Sequence, residues 1–234
     1  MNTLTQLGIK YSTDKAFFHS FTDFYNEYFM DIANSNTNIN ILELGIFKGA
    51  SLKMLGEYFK NATIYAIDID DACVNNYYGE NIKTFNCSQI DFITLKKLFN
   101  NITFDIIIDD GSHITSHQQL SLGFLFPFLK KNGIYVCEDL HTSFCKDYLD
   151  TDISTLHILE NYKNTRDIQI SLLNERENKY LKDNITDIKL YYRTTNALKC
   201  YKCNNQNINN NEVCVCGIDL SPNNKSITSI IFHK

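Results

Sequence analysis

Residues 41–51 read ILELGIFKGAS and decide the fold of this chain. A buried strand runs into Gly45 and Gly49, and Ser51 stands in the first turn of the helix that follows. Glycine lets the backbone turn tightly and approach a ligand, and a helix N-terminus offers unpaired N–H groups. Asp68 ends the next strand about twenty residues on, where a carboxylate can bind ribose hydroxyls. The segment predicts a nucleoside site, and the alternative is a tight strand–helix turn that binds no ligand.

The middle of the chain alternates short apolar runs with helical patterns, which is typical of βαβ units around a parallel sheet. The strand-like runs are rich in isoleucine and apolar on both faces, as a sheet covered by helices requires. We predict strands at Ile39–Ile46, Thr63–Ile69, Ile82–Phe85, Phe104–Asp109, Gly133–Cys137, Ile185–Tyr192 and Asn196–Tyr201. We predict helices at Ser20–Ala33, Ala50–Phe59, Phe92–Phe99, Ser116–Leu129, Ser154–Asn161 and Leu172–Asp183. The expected fold is α/β and Rossmann-like.

Two of these strands end in paired acids. Residues 104–113 read FDIIIDDGSH, and residues 135–141 read YVCEDLH. If the two strands are parallel neighbours, their ends lie about 4.8 Å apart, and Asp110, Glu138 and Asp139 meet at the edge where open α/β sheets bind ligands. Clustered carboxylates repel one another, and a hard cation such as Mg²⁺ removes that conflict. The alternative is that these acids cap the following helices or face solvent.

His113 lies on the loop that leaves the same strand end as Asp110. It can accept a proton from a hydroxyl whose oxygen contacts the metal, so we interpret it as the catalytic residue. The alternative is a structural histidine. We expect His117 to pack beside the site, and His141 to lie near it or on a loop.

These motifs resemble those of the metal-dependent sugar O-methyltransferases of macrolide biosynthesis, the mycinamicin and macrocin types. The resemblance covers roughly residues 8 to 202. The segments that carry it are IIDDGSH at 107–113, LELGIFKGASL at 42–52, YVCEDLHTS at 135–143, and Thr13-Asp14-Lys15 with His19.

The resemblance implies a class I methyltransferase fold with a mostly parallel seven-stranded sheet. It also implies Mg²⁺-dependent transfer of a methyl group from S-adenosylmethionine to a sugar hydroxyl in a glycan or glycosylated metabolite. Asp110, Glu138 and Asp139 would bind the metal, and His113 would be the general base. The implied cofactor-binding residues are Glu43, Gly45, Ser51, Asp68, Ser88, Gln89 and Asp109. Because ELG-x-x-x-G-x-S is also similar to catechol-type O-methyltransferases, a phenol or catechol acceptor is the alternative.

Composition narrows the class of partner. The chain has 22 Lys and Arg against 27 Asp and Glu, a net charge of −5 with no basic run, so we expect no nucleic-acid partner. Residues 1–15 contain no apolar signal region, and no stretch approaches the about 18 apolar residues of a membrane span. We therefore expect a cytoplasmic protein without membrane contact that acts on a small molecule or glycan. Enzymes of the resembling family often assemble, and the terminal hairpin could serve as an interface in a homo-oligomer, but the sequence leaves the oligomeric state open.

The C-terminal part is predicted to be a separate appendage. We place the methyltransferase domain at residues 1–203, and an Asn-rich linker with a β-hairpin extension at residues 204–234. The expected hairpin strands are Glu212–Ile218 and Ile227–His233, on either side of a turn at Ser221-Pro222-Asn223-Asn224.

Four of the eight cysteines fall in two close pairs near this boundary. Cys200 and Cys203 form C-x₂-C, and Cys214 and Cys216 form C-x-C after ten intervening residues. Four thiolates at such spacing can ligate Zn²⁺ tetrahedrally. The alternative is a set of reduced cysteines packed in a hairpin. A non-enzymatic hypothesis also stays open: a zinc-stapled interaction module attached to a degenerate methyltransferase domain.

Overall fold

The computed structural model describes residues 2–35, 37–222 and 226–234, and in that part of the chain seven strands form one sheet. The strands are β1 Ile39–Leu44, β2 Ala62–Asp68, β3 Ile82–Asn86, β4 Phe104–Asp109, β5 Leu129–Cys137, β6 Ile185–Tyr192 and β7 Ile227–His233. Their spatial order is β3-β2-β1-β4-β5-β7-β6. Neighbours among β1 to β5 are parallel, and β7 is antiparallel to both β5 and β6. The predicted Rossmann-like, mostly parallel seven-stranded sheet is confirmed.

Helices pack on both faces of this sheet. They are α1 Leu4–Tyr11, α2 Asp14–Phe17, α3 Phe21–Asn34, α4 Ala50–Tyr58, α5 Asp71–Val74, α6 Phe92–Phe99, α7 Thr115–Leu125, α8 Thr155–Thr165 and α9 Glu175–Asn184. Short 3₁₀ helices follow at Phe126–Phe128 and Leu140–Phe144. Successive residues of β4 enter different cores: Ile107 packs in one hydrophobic cluster, and Ile106 and Ile108 pack in the other. Because both strand faces are buried, β4 has no polar alternation.

The topology places a crevice at the carboxyl ends of β1 and β4. Chain connections run outward from β1 to β2 on one side and from β4 to β5 on the other, so the loops diverge between them. Gly45 closes the β1 end: its φ is +90°, and a Cβ there would lie 2.1 Å from the carbonyl oxygen of Asp110. The glycine therefore lets the two loops that border the crevice approach each other.

The C-terminal strand joins the main sheet. The predicted limits Ile227–His233 are confirmed, and the strand forms antiparallel pairs with β5 and β6. Its expected partner, Glu212–Ile218, contains no strand and only an isolated bridge from Val213 to Asp219. The apolar side chains of β7 explain the placement, since Ile227, Ile230 and Ile231 are each at most 1% exposed. Part of the predicted turn, residues 223 and 224, lies outside the described residues.

Asn196–Tyr201 was predicted as a strand, and this prediction is wrong. That segment holds only an isolated bridge between Lys199 and Gln206. It packs against Phe17 and Phe18 through Ala197 and Cys200 instead of joining the sheet. The domain boundary at residue 203 stays a prediction. Of the predicted extension, β7 lies in the same sheet as the other six strands.

Within the described residues, no helix combines the length and the apolar character that crossing a bilayer requires.

Candidate active site

Two acids and a histidine meet at the carboxyl edge of the sheet. Asp110 follows β4 and Asp139 follows β5, and a ligand atom from each lies within 4.8 Å of a ring nitrogen of His113. His113 and Asp139 have φ values of +60° and +52°. Non-glycine residues rarely adopt this left-handed conformation, which costs on the order of 1–3 kcal/mol and clusters at functional sites. The predicted meeting of the β4 and β5 ends is therefore observed.

Glu138 faces the interior beside a buried lysine. The Lys15 ammonium contacts the carboxylates of Asp110 and Glu138, the latter at 2.7 Å, and lies 3.6 Å from Glu43. The Lys15 side chain is only 3% exposed. Burial alone would lower the pKa of Lys15, but the carboxylates of Asp110, Glu138 and Glu43 raise it well above its ordinary value. The ammonium therefore stays charged, and the three carboxylates around it make this a position that favours positive charge.

The ion pairs of Lys15 lead to a stability prediction. We expect Lys15→Met to lower the free energy of unfolding by about 3–5 kcal/mol, because it leaves buried carboxylates without a cation. Chemical denaturation would measure the loss. Lys10→Met is the matched control, since Lys10 pairs with Glu57 at the surface and its side chain is 52% exposed. Equal effects of the two substitutions would contradict the structural role of Lys15.

Three histidines surround Asp139. Nε2 of His113 is 3.7 Å from Oδ2, and Nδ1 of His19 and of His141 lie 3.9 and 3.8 Å from Oδ1. Burial alone would raise the pKa of Asp139, but the three histidines lower it below the ordinary value. His19 also contacts Ser226 at 2.9 Å. Lys15 and His19 were not assigned roles from the sequence, although both belong to the N-terminal segment that carries the resemblance.

Several buried polar atoms at the site have no hydrogen-bond partner among the described residues. They are Oε1 of Glu138, Oδ1 of Asp139, Nδ1 of His113 and Oε2 of Glu43. An unpaired buried polar atom costs about 1–3 kcal/mol, and more when it is charged. Burial disfavours the charged form of Glu138 and raises its pKa well above the ordinary value. The side chains whose ligand atoms lie within 4.8 Å of one another are Asp110, His113 and Asp139, so two of the three predicted metal ligands meet there and Glu138 is not in that group. Carboxylate oxygens without a hydrogen-bond partner at this place suit a hard divalent cation.

A cavity of about 480 Å³ opens beside this cluster. Its lining includes Asp110, His113 and Asp139 together with most of the predicted cofactor-binding set. The members of that set that line the cavity are Glu43, Gly45, Ser51, Asp68, Ser88 and Gln89. The cavity thus joins the strand end of β1 to Asp110, His113 and Asp139, whereas Glu138, a predicted metal ligand, does not line it.

Asp68 organises the turn after β1. Its Oδ2 accepts from the backbone N–H groups of Ile46 at 2.8 Å and Phe47 at 3.2 Å, and its Oδ1 accepts from Asp70 at 2.9 Å. Each oxygen has two lone pairs, so acceptor capacity remains for a ligand hydroxyl.

Glu43 lies across the same turn. Its Oε1 accepts from the Ser51 hydroxyl at 2.7 Å, while burial raises the pKa of this carboxyl to about 7.

Asp109 is a predicted cofactor-binding residue that does not line the cavity. The residue is 1% exposed, and its carboxylate accepts from Nε2 of Gln89 at 3.1 Å and from the Tyr135 hydroxyl at 3.0 Å. Burial raises its pKa to about 7. Asp109 is the last residue of β4, whereas Asp110 lies one residue beyond the strand and lines the cavity. Asp109 therefore positions Gln89, whose Oε1 accepts from the N–H of Ser112 at 2.7 Å.

Sequence comparison finds relatives that are named O-methyltransferases. The chain is 35% identical over 151 residues to mycinamicin VI 2''-O-methyltransferase of Micromonospora griseorubida, a match that covers 60% of this chain and 37% of that protein. It is 35% identical over 150 residues to demethylmacrocin O-methyltransferase of Streptomyces fradiae, with the same coverage of 60% and 37%. It is 32% identical over 154 residues to L-olivosyl-oleandolide 3-O-methyltransferase of Streptomyces antibioticus, covering 62% and 39%. This chain thus spans 37 to 39% of the length of these curated relatives. No family model matches the chain.

Structure comparison agrees with the sequence match. MycE, a methyltransferase of the mycinamycin biosynthetic pathway solved with Mg and SAH, matches with a TM-score of 0.70 and 24% identity over 99% of this chain and 55% of its own. A second crystal form of MycE, also with Mg and SAH, gives a TM-score of 0.68 and 29% identity over 81% and 51%. The chain therefore has the class I methyltransferase fold and is similar in sequence to the macrolide sugar O-methyltransferases, as its motifs predict.

Proposed function

We propose that this chain transfers a methyl group from S-adenosylmethionine to a sugar hydroxyl with the help of Mg²⁺. One observation carries the proposal: two carboxylates and a histidine converge at the edge of a cavity that also contains the turn after β1. The similarity to named sugar O-methyltransferases supports the same reaction. A Rossmann-like fold alone would not, because one fold hosts many chemistries.

Asp110, Glu138 and Asp139 are the proposed metal ligands. Oxygen ligands suit Mg²⁺ better than nitrogen ligands do, which leaves His113 free to act as a base. Bound Mg²⁺ would supply Lewis-acid stabilisation of the negative charge that develops on the acceptor oxygen. Lys15 lies against two of the three carboxylates and lowers their mutual repulsion.

His113 is the proposed general base. An alkyl hydroxyl is almost fully protonated at neutral pH and is therefore a poor nucleophile. Nδ1 of His113 has no partner among the described residues, and its Nε2 faces Asp139 at 3.7 Å. A carboxylate beside the ring stabilises the imidazolium that forms when His113 takes a proton.

The methyl donor is proposed to lie along the β1 turn. Asp68 would accept from its ribose hydroxyls, while the N–H groups at the start of α4 would face its polar atoms. Gln89 and Ser88 follow β3 and border the far side of the same cavity. Gln89 is held by Asp109, so its side-chain amide is presented in a fixed orientation.

The acceptor is proposed to be a sugar of a glycan or glycosylated small molecule rather than a catechol. The names of two relatives support this choice, since they print a glycosyl group: L-olivosyl-oleandolide 3-O-methyltransferase and 8-demethyl-8-alpha-L-rhamnosyl tetracenomycin-C 2'-O-methyltransferase. A catechol would place two oxygens on the metal and need a flat aromatic pocket. Among the described residues that line the cavity, Phe47 is the sole aromatic ring apart from the histidines.

Calorimetry tests the donor site directly. We expect S-adenosylhomocysteine to bind and NAD to show no binding. Asp68→Asn should weaken S-adenosylhomocysteine by about 10- to 100-fold, because a hydrogen bond to a charged group is worth about 1.5–3 kcal/mol. Asp183→Asn is the control, since Asp183 pairs with Lys179 on the surface of α9. Binding of NAD in place of S-adenosylhomocysteine would contradict the proposal.

A further inference from the structure

The four paired cysteines form one compact cluster, separate from the group of Asp110, His113 and Asp139. The sulphur atoms of Cys200, Cys203, Cys214 and Cys216 all lie within 4.8 Å of one another. Cys200 and Cys216 are 3.6 Å apart, and Cys203 and Cys214 are 3.4 Å apart. Four sulphurs around Zn²⁺ at bond lengths of about 2.3 Å are separated by about 3.8 Å in a tetrahedron. The cluster therefore has the dimensions of a zinc site.

The backbone shapes both cysteine pairs for this arrangement. Asn204 directly follows Cys203 with a φ of +61°, and Gly217 directly follows Cys216 with a φ of +83°. A left-handed residue after each pair turns the chain back on itself. The Asn204 N–H donates to the Cys200 carbonyl at 3.0 Å, and the Gly217 N–H donates to the Cys214 carbonyl at 2.8 Å. A Cβ on Gly217 would meet nothing within 4 Å, so glycine is favoured here by the left-handed backbone and not by a lack of space.

Disulfides do not account for the cluster. A disulfide needs a sulphur separation of about 2.05 Å and joins cysteines two by two. Here all four sulphurs converge, and the contacts at 3.6 and 3.4 Å each join one cysteine from each loop. Thiolate ligands also select Zn²⁺ over Mg²⁺, so this set differs in chemistry from the carboxylates at the sheet edge.

We infer that Cys200, Cys203, Cys214 and Cys216 ligate one Zn²⁺ as thiolates in a closed structural site. All four tetrahedral positions are taken by protein, so the site leaves no open position for substrate. Binding would release protons from the thiols and would fold the two loops onto each other. Cys200 and Cys214 are buried, whereas solvent reaches Cys203 and Cys216, which gives the ion a path of entry.

The zinc site would fix the segment that carries Lys15 and His19. Cys200 and Cys214 pack in a small hydrophobic cluster with Phe17, Phe18 and other residues. The N–H of Leu198 donates to the carbonyl of Phe17 at 2.8 Å.

Arg193 strengthens the same junction. Its guanidinium donates to the carbonyls of Phe18 and Ser221 and lies 5.0 Å from the Phe18 ring. Residues 197–220 thus support the N-terminal wall of the acid cluster. This second step rests on the proposed function, whereas zinc binding does not.

Metal analysis of the purified full chain tests the site. We expect one Zn²⁺ per chain in the wild type and its loss in Cys203→Ser. Cys145→Ser is the matched control, because Cys145 is exposed and outside the cluster. Asp110→Asn should keep the zinc, which separates this site from the proposed magnesium site. Replacing zinc by Co²⁺ should give the absorption bands of tetrahedral thiolate-ligated cobalt, a readout on the folded wild type that needs no variant.

Two results would overturn the inference. One is purified protein without zinc in which these cysteines form disulfides; the other is zinc retained by Cys203→Ser and lost by Asp110→Asn. The supporting role is tested by hydrogen exchange of residues 13–19, which should accelerate when zinc is removed. Unchanged exchange there would refute the support of the N-terminal wall and leave zinc binding itself intact. Neither readout needs methyl transfer, so failure of the proposed enzyme activity would be seen separately.

Discussion

His113→Ala is expected to lower kcat for methyl transfer by about 10²–10⁴-fold, the usual contribution of a positioned general base. The loss follows from the position of His113, which lines the cavity and has one ring nitrogen without a partner among the described residues. Affinity for S-adenosylhomocysteine should stay unchanged, because the proposed donor contacts lie at the ends of β1, β2 and β3. Steady-state rates with labelled methyl donor and calorimetry would measure the two quantities.

The backbone at His113 calls for a second variant. Alanine is strained at a φ of +60°, whereas asparagine adopts this region more readily, so His113→Asn removes the base with less disturbance. Both variants should lose the same activity if proton transfer is the cause. His157→Ala, on the exposed side of α8, is the control and should retain full turnover. Wild-type turnover by His113→Asn would show that the base assignment is wrong.

The second large effect is expected from Asp110→Asn, which should abolish metal binding and lower activity by about a thousandfold or more. A metal ion supplies several kcal/mol of transition-state stabilisation, and each 1.36 kcal/mol is tenfold in rate. Asparagine keeps the shape of aspartate but removes the charge that binds the cation and Lys15. Titration calorimetry with Mg²⁺ and turnover at saturating Mg²⁺ would measure both losses.

Asp105→Asn is the matched control for Asp110→Asn. Asp105 lies at the opposite end of β4, where it pairs with Lys130 at 2.8 Å, and its loss should leave metal binding unchanged. Chelation should inactivate the wild type reversibly, with activity restored by added Mg²⁺. Full activity after chelation would refute the metal requirement, even if Asp110→Asn were inactive.

Local pattern was enough to predict most of the fold. The limits of β4, β6, β7 and α6 agree with the sequence patterns because each element is a continuous apolar or amphipathic run that ends at a polar turn. The start of β5 was missed, since Lys130, Lys131 and Asn132 interrupt its apolar pattern, the last two with exposed side chains. The segments around the paired cysteines failed for a different reason: apolar residues there pack against Phe17 and Phe18 instead of joining the sheet.

The acids of the site were predicted from strand ends, but the lysine that contacts them was not. Acids at the ends of two neighbouring strands must meet wherever the sheet forms, so Asp110 and Asp139 could be placed without coordinates. Lys15 lies 95 residues from Asp110 along the chain and enters through tertiary packing of α2. Sequence also could not decide which of the adjacent residues Glu138 and Asp139 lines the cavity. That choice depends on the left-handed backbone at Asp139.

A crystal structure of the chain with S-adenosylhomocysteine and Mg²⁺ tests the central claim most directly. The predicted result is an ion in contact with Asp110, Glu138 and Asp139, with the donor product along the β1 turn and Lys15 beside the ion. Carboxylates still occupied by Lys15 alone, with no ion between them at saturating Mg²⁺, would contradict the account.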